Sequence, residues 1–171
     1  ALPISLYDIT PVKAIDCTII DDKGVEYLDL YSGHGVISIG HTQPDYVAKL
    51  KNQIDHLGFY SNAIQNPLQV ELAQKLGKLS GLEDYELFLC SSGAEANEAA
   101  LKLARRYAKD KYGEQKDQII SFKQGFHGRT FFTVTVGGQS AYSDGFGPKP
   151  QAIDHAEFNN LDSVKALISD N

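Results

Sequence analysis

The sequence predicts an α/β fold with a mainly parallel sheet and flanking helices, and three observations carry that prediction. Residues 87–90 (Leu-Phe-Leu-Cys) form an apolar run short enough for a buried strand, and residues 119–122 (Ile-Ile-Ser-Phe) form a second. Between them Ala96, Ala99, Ala100, Leu103, Ala104 and Tyr107 recur at spacings of three and four, one apolar helical face, and Gly113 supplies a stop. Strand, helix and strand at this length make a βαβ unit, which implies parallel strands joined by a right-handed crossover.

The remaining elements follow in order. Residues 1–14 form an arm in which Pro3 and Pro11 oppose long regular structure. Residues 17–20 and 25–28 are strand-like runs around Asp22-Lys23-Gly24, the spacing of a hairpin. Residues 31–40 are punctuated by Gly33, Gly35 and Gly40 and read as a loop. Residues 44–57 and 67–79 are helical patterns that each open on a proline, where the missing N–H costs nothing, and Asn66 is positioned to cap the second. Residues 131–136 are β-branched and aromatic and read as a third strand. Residues 137–150 are rich in glycine and proline and read as an ordered loop, Ile153 falls in a short strand, and residues 162–169 are the last helical pattern.

Composition narrows the function. The chain has 171 residues, 42% hydrophobic and 22% charged, ordinary values for a soluble globular domain. A formal net charge of −6 argues against a general nucleic-acid surface. No apolar run approaches a membrane span. Cys17 and Cys90 are too few and too isolated for a disulfide framework or a metal site and read as free thiols of a reducing, cytoplasmic compartment. There is no G-x-G-x-x-G and no G-x-x-x-x-G-K-[ST], so dinucleotide and nucleoside triphosphate sites of the usual kinds are not indicated.

The chemistry concentrates at the turn into the central helix. Ser92, Gly93 and Ala94 open that helix, where backbone amides lack partners and the macrodipole is positive, so a phosphate placed there meets donors that already exist. Ser92-Gly93-Ala94-Glu95 equally fits a capping box, which needs no ligand, and the two readings are compatible. Residues 123–129 form a loop at the carboxyl end of the next strand, the edge at which ligands bind in open α/β sheets. Two loops of neighbouring strands would therefore converge on one crevice.

Three segments carry a family resemblance. SSGAEANEAALKLARRYA with SFKQGFHGRT is similar to the class III aminotransferases, which use pyridoxal 5′-phosphate (PLP) on the fold type I scaffold. VTVGGQSAYSDGFGPKP, residues 134–150, resembles the acetylornithine aminotransferase branch, and DDKGVEYLDLYSGHGVISIGHTQP, residues 21–44, resembles the family's early strands and its G-H-x-x-P. The resemblance implies an arm and small β segment over residues 1–43 and the first part of the PLP-binding large domain over residues 44–171. It implies cofactor contacts from Ser92, Gly93 and Ala94 to the phosphate, a stacking ring at Phe126 and a neighbouring His127. It assigns Arg129 to the substrate carboxylate, since a guanidinium fork matches a carboxylate in two places.

It also implies transamination between N-acetylornithine and 2-oxoglutarate in arginine biosynthesis by a cytoplasmic homodimer, with no metal, nucleic acid or membrane involved. Succinylornithine, ornithine and 4-aminobutyrate are the alternative amines, and a non-catalytic anion-binding α/β module is the alternative of a different class. Lys123 and Lys149 match no family lysine position, so the catalytic lysine is expected beyond this chain. The chain is expected to carry half a site and not to transaminate alone.

Overall fold

The computed structural model describes residues 7–169, which form two compact units divided between Glu83 and Asp84. In the first, β1 (Pro11–Ile15), β2 (Thr18–Asp21) and β3 (Glu26–Leu28) make an antiparallel sheet in the order β1-β2-β3. The expected hairpin is the β2–β3 pair, with Ile19 opposite Tyr27. Asp21 closes its turn, because Oδ1 accepts the amides of Lys23 and Val25 at 2.9 and 2.8 Å and Oδ2 accepts the Tyr27 hydroxyl at 2.9 Å. Burial works to raise the Asp21 pKa, but these donors outweigh it and hold the carboxyl below its ordinary value, while the bond to Asp21 pushes the Tyr27 phenol up.

The glycine-punctuated loop contains a single turn, α1 (Ser32–Gly35), with φ of 51, 57, 65 and 74° at Ser32, Gly33, His34 and Gly35. Left-handed backbone costs a non-glycine residue roughly 1–2 kcal/mol. Asp29 holds the turn, accepting the amides of Tyr31 and Ser32 at 3.0 and 2.8 Å and the His41 Nε2–H at 2.6 Å. The His41 bond first, then the Ser32 amide, hold the Asp29 carboxyl below its ordinary value. The helices α2 (Pro44–Leu57) and α3 (Pro67–Ser80) open as expected, with Gln43 accepting the Tyr46 amide and Asn66 the Leu68 amide. Gly81, at φ 72°, ends α3 and lets the Leu82 amide return to the Gly77 carbonyl.

The second unit is built on α4 (Gly93–Tyr112) and a parallel pair, β4 (Ile119–Phe122) and β5 (Ile153–Ala156), in register Ile119 with Ile153 through Phe122 with Ala156. The fold is α/β with a parallel pair, but residues 119–122 pair with 153–156 rather than with 87–90 across α4 as the βαβ reading expected, and two strand readings are corrected. Residues 87–90 form no strand, and Leu87, Phe88 and Leu89 are exposed. A strand is defined by its ladder, and among the described residues none pairs with this run.

Residues 131–136, read as a third strand, form the helix α5 (Phe131–Val136). Thr133, Thr135 and Val136 are buried on it, and the Thr135 hydroxyl returns to the Phe131 carbonyl at 2.9 Å. Its carboxyl end would leave carbonyls unpaired, yet Ser121 Oγ donates to the Val136 carbonyl at 2.5 Å and His155 Nε2 to the Thr135 carbonyl at 3.0 Å. Burial and these partners override the β-branched propensity. Gly137 leads into α6 (Ser140–Ser143), and α7 (Leu161–Lys165) follows β5, capped by Asn160, whose Oδ1 accepts the Ser163 amide. Both cysteines are free and exposed.

Candidate functional site

The helix start is a realised cap. Ser92 Oγ accepts the Glu95 amide at 3.2 Å, and Glu95 Oε2 accepts the Ser91 amide at 2.9 Å and the Ser92 hydroxyl at 3.2 Å. That leaves the Gly93 and Ala94 amides, first-turn donors with no acceptor inside the helix. Among the described residues no other group takes them. A Cβ built on Gly93 would meet nothing within 4 Å, so the space beside the turn is open. Two free amides, an open approach and the positive end of a long helix fit a phosphate ester.

The loop after β4 is held against this helix start. Gly128, at φ 126°, lies so close that a Cβ there would stand 2.6 Å from the Ala94 Cβ and 2.9 Å from the Ala94 Cα. Only glycine accepts both that φ and that approach. Asn97 Nδ2 donates to the His127 carbonyl at 2.8 Å, and the Thr130 hydroxyl donates to Glu98 Oε1 at 2.5 Å and meets the fully buried Thr133 hydroxyl at 2.6 Å. The two segments that the sequence singled out therefore touch.

The side chains of the loop diverge. Phe126 is exposed and has no aromatic partner among the described residues. His127 faces a cavity of about 460 Å³ between α4 and β4, shared with Asn97, Leu101, Ile120 and Val136. Arg129 faces a different cavity of about 700 Å³, lined also by Phe131, Val134, Tyr142, Asp144 and Phe146. Its guanidinium carbon stands 4.6 Å from the centre of the Tyr142 ring. Among the described residues no carboxylate lies within ion-pair reach of Arg129, because Asp144 is taken by Lys149 at 2.5 Å. Such a cation, backed by an aromatic ring and with its N–H groups unspent, is suited to a carboxylate ligand.

Asn97, Glu98 and Tyr142 were not singled out from sequence. The signal for the first two was a pair of polar side chains in an alanine-rich helix, off its apolar stripe. Among the described residues no group of acidic, cysteine and histidine side chains is arranged to hold a metal ion, and no helix is long and apolar enough to cross a membrane.

A parallel α/β unit in which a helix start with two free amides meets a neighbouring loop is an architecture suited to a phosphate-bearing cofactor, and the chain belongs to the aminotransferase class-III family, which matches residues 5–169. The acetylornithine aminotransferase of Vibrio vulnificus (strain YJ016) is 52% identical over 163 residues, 95% of this chain and 40% of that protein. The succinylornithine transaminase of Photorhabdus laumondii subsp. laumondii is 48% identical over 161 residues, 94% of this chain and 40% of that protein. The chain thus spans about 40% of the length of the curated relatives it matches. Among solved structures, an aminotransferase of Bacillus anthracis is 29% identical with a TM-score of 0.81 over 87% of this chain and 33% of its own. The ornithine aminotransferase of Toxoplasma gondii ME49 shares the fold at a TM-score of 0.87 and 24% identity, covering 95% of this chain and 38% of that one.

Proposed function

We propose that the chain is the amino-terminal part of a PLP-dependent aminotransferase that moves an amino group between N-acetylornithine and 2-oxoglutarate in arginine biosynthesis, working as a cytoplasmic homodimer. The observation that carries the reading is the contact of Gly128 with Ala94, which puts the open helix start and the Phe126–Arg129 segment at one corner. The 52% identity to an acetylornithine aminotransferase supports the choice of amine.

When bound, PLP supplies an electron sink for the α-carbon of the amine. The Gly93 and Ala94 amides would hold its phosphate, with the Ser92 hydroxyl adding a donor once it turns from Glu95. Phe126 would offer an exposed ring face for stacking, worth about 1 kcal/mol beyond burial, and Asn97, through the His127 carbonyl, fixes the loop behind it. Arg129 would grip the substrate carboxylate and so fix the orientation in which the substrate meets the cofactor. Lys123 and Lys149 are engaged with Glu157 and Asp144, and neither is given the proton-carrying role. The domain reading is an arm and small β segment over residues 1–43 and the first part of the PLP-binding domain over residues 44–171.

Steady-state rates of the full-length protein on N-acetylornithine, N-succinylornithine, ornithine and 4-aminobutyrate test the substrate. N-acetylornithine is expected to give the highest kcat/KM, and a strong preference for another amine would overturn the assignment. Reconstitution with PLP tests the class: a new long-wavelength absorbance band is expected, and its absence would leave a non-catalytic anion-binding module.

A further inference from the structure

We infer that Tyr142 is a positioning residue for Arg129 and thereby sets affinity for the carboxylate shared by both substrates; this rests on the reading of Arg129 as the carboxylate anchor. An exposed arginine on a loop has many rotamers, and ordering it costs side-chain entropy. Arg129 has no ion-pair partner among the described residues to hold it. What it has is the Tyr142 ring, with the guanidinium carbon 4.6 Å from the ring centre. Stacking on a ring face orients the guanidinium plane while leaving its N–H edge unspent, whereas a carboxylate partner would occupy that edge and compete with substrate.

Tyr142 is itself fixed to the same loop. Its amide donates to the Gln139 carbonyl at 3.0 Å, and Gln139 Nε2 donates to the Gly125 carbonyl at 2.9 Å. From the other side Lys149 Nζ donates to Ser143 Oγ at 2.9 Å and pairs with Asp144 at 2.5 Å. That pair has a second consequence: it neutralises the acidic group that lines the Arg129 cavity. The Tyr142 hydroxyl is not used in this arrangement, so the ring is what matters.

The test uses the full-length, PLP-loaded enzyme with Tyr142→Phe, Tyr142→Leu and Arg129→Gln. Glutarate, a non-reacting dicarboxylate, is titrated calorimetrically, and kcat and KM are measured for amine and oxo acid. Tyr142→Leu is expected to weaken glutarate and raise both KM values about five- to twentyfold, with kcat within about twofold. Tyr142→Phe, which keeps the ring, is expected within about twofold of the parent. If the leucine variant does not fold, Tyr142→Gln removes the ring face at similar length and reads the same quantity. Parent-like glutarate affinity without the ring, while Arg129→Gln has lost it, would overturn the Tyr142 inference alone. Unchanged affinity in Arg129→Gln would overturn the Arg129 reading and the Tyr142 inference with it.

Discussion

One face of α4 carries the apolar stripe, and the other carries the bonds that tie the helix to distant loops. The stripe of Ala96, Ala100, Leu103 and Tyr107 looks like the packing face, yet Leu103 and Tyr107 are 70% and 55% exposed. The opposite face carries Ala94, Asn97, Glu98 and Arg105, and it makes the long-range bonds. Arg105 donates to the carbonyls of Asp117, Gln151 and Ala152 at 3.0, 2.7 and 3.1 Å and lies 4.9 Å from the centre of the Phe132 ring. A helix can be anchored by polar side chains that satisfy carbonyls of loops, and hydrophobic periodicity does not see them.

Substitutions on and around the two faces test that contrast. The largest effect is expected from Gly128→Ala, where the new methyl group meets the Ala94 backbone and the φ is unfavourable. A loss of about 3 kcal/mol in denaturant midpoint stability, with weaker PLP binding, is expected in the full-length protein. Arg105→Leu keeps bulk but leaves the Asp117 and Gln151 carbonyls without their donor, while the Ala152 carbonyl keeps the Ile119 amide, and about 2 kcal/mol should be lost in the same measurement. Leu103→Glu, on the exposed stripe, should change the melting free energy of this chain by no more than about 0.5 kcal/mol; a larger loss would show that the stripe packs after all.

A pH titration extends the comparison to the first unit, where carboxylates do the anchoring. Asp21 and Asp29 are held below the ordinary value of 3.8, so the unfolded chain binds their protons first as pH falls. Their stabilisation is intact above that value and is lost as pH drops through the lower folded pKa. Acid unfolding followed by circular dichroism should therefore be shallower in Asp29→Asn than in the parent.

Much of this was legible locally. The hairpin, the proline-opened helices, the Ser92 cap and the 126–129 loop depend on neighbours within a few residues, so turn and cap chemistry found them. The failures depend on distant partners. Leu-Phe-Leu-Cys and Ile-Ile-Ser-Phe are alike in composition, and only the second finds a parallel strand, β5, more than thirty residues on. Phe131–Val136 has strand propensity but becomes a helix whose terminal carbonyls accept hydrogen bonds from Ser121 Oγ and His155 Nε2. Asn97 and Glu98 reach loop groups 30 and 32 residues away, a separation no periodicity records.

The most direct test is a crystal structure of the PLP-loaded full-length protein. The cofactor phosphate should lie about 2.7–3.2 Å from the Gly93 and Ala94 amides, with Phe126 against the ring and Arg129 on the substrate side. A phosphate bound elsewhere, with the turn before α4 closed by Glu95 alone, would contradict the account.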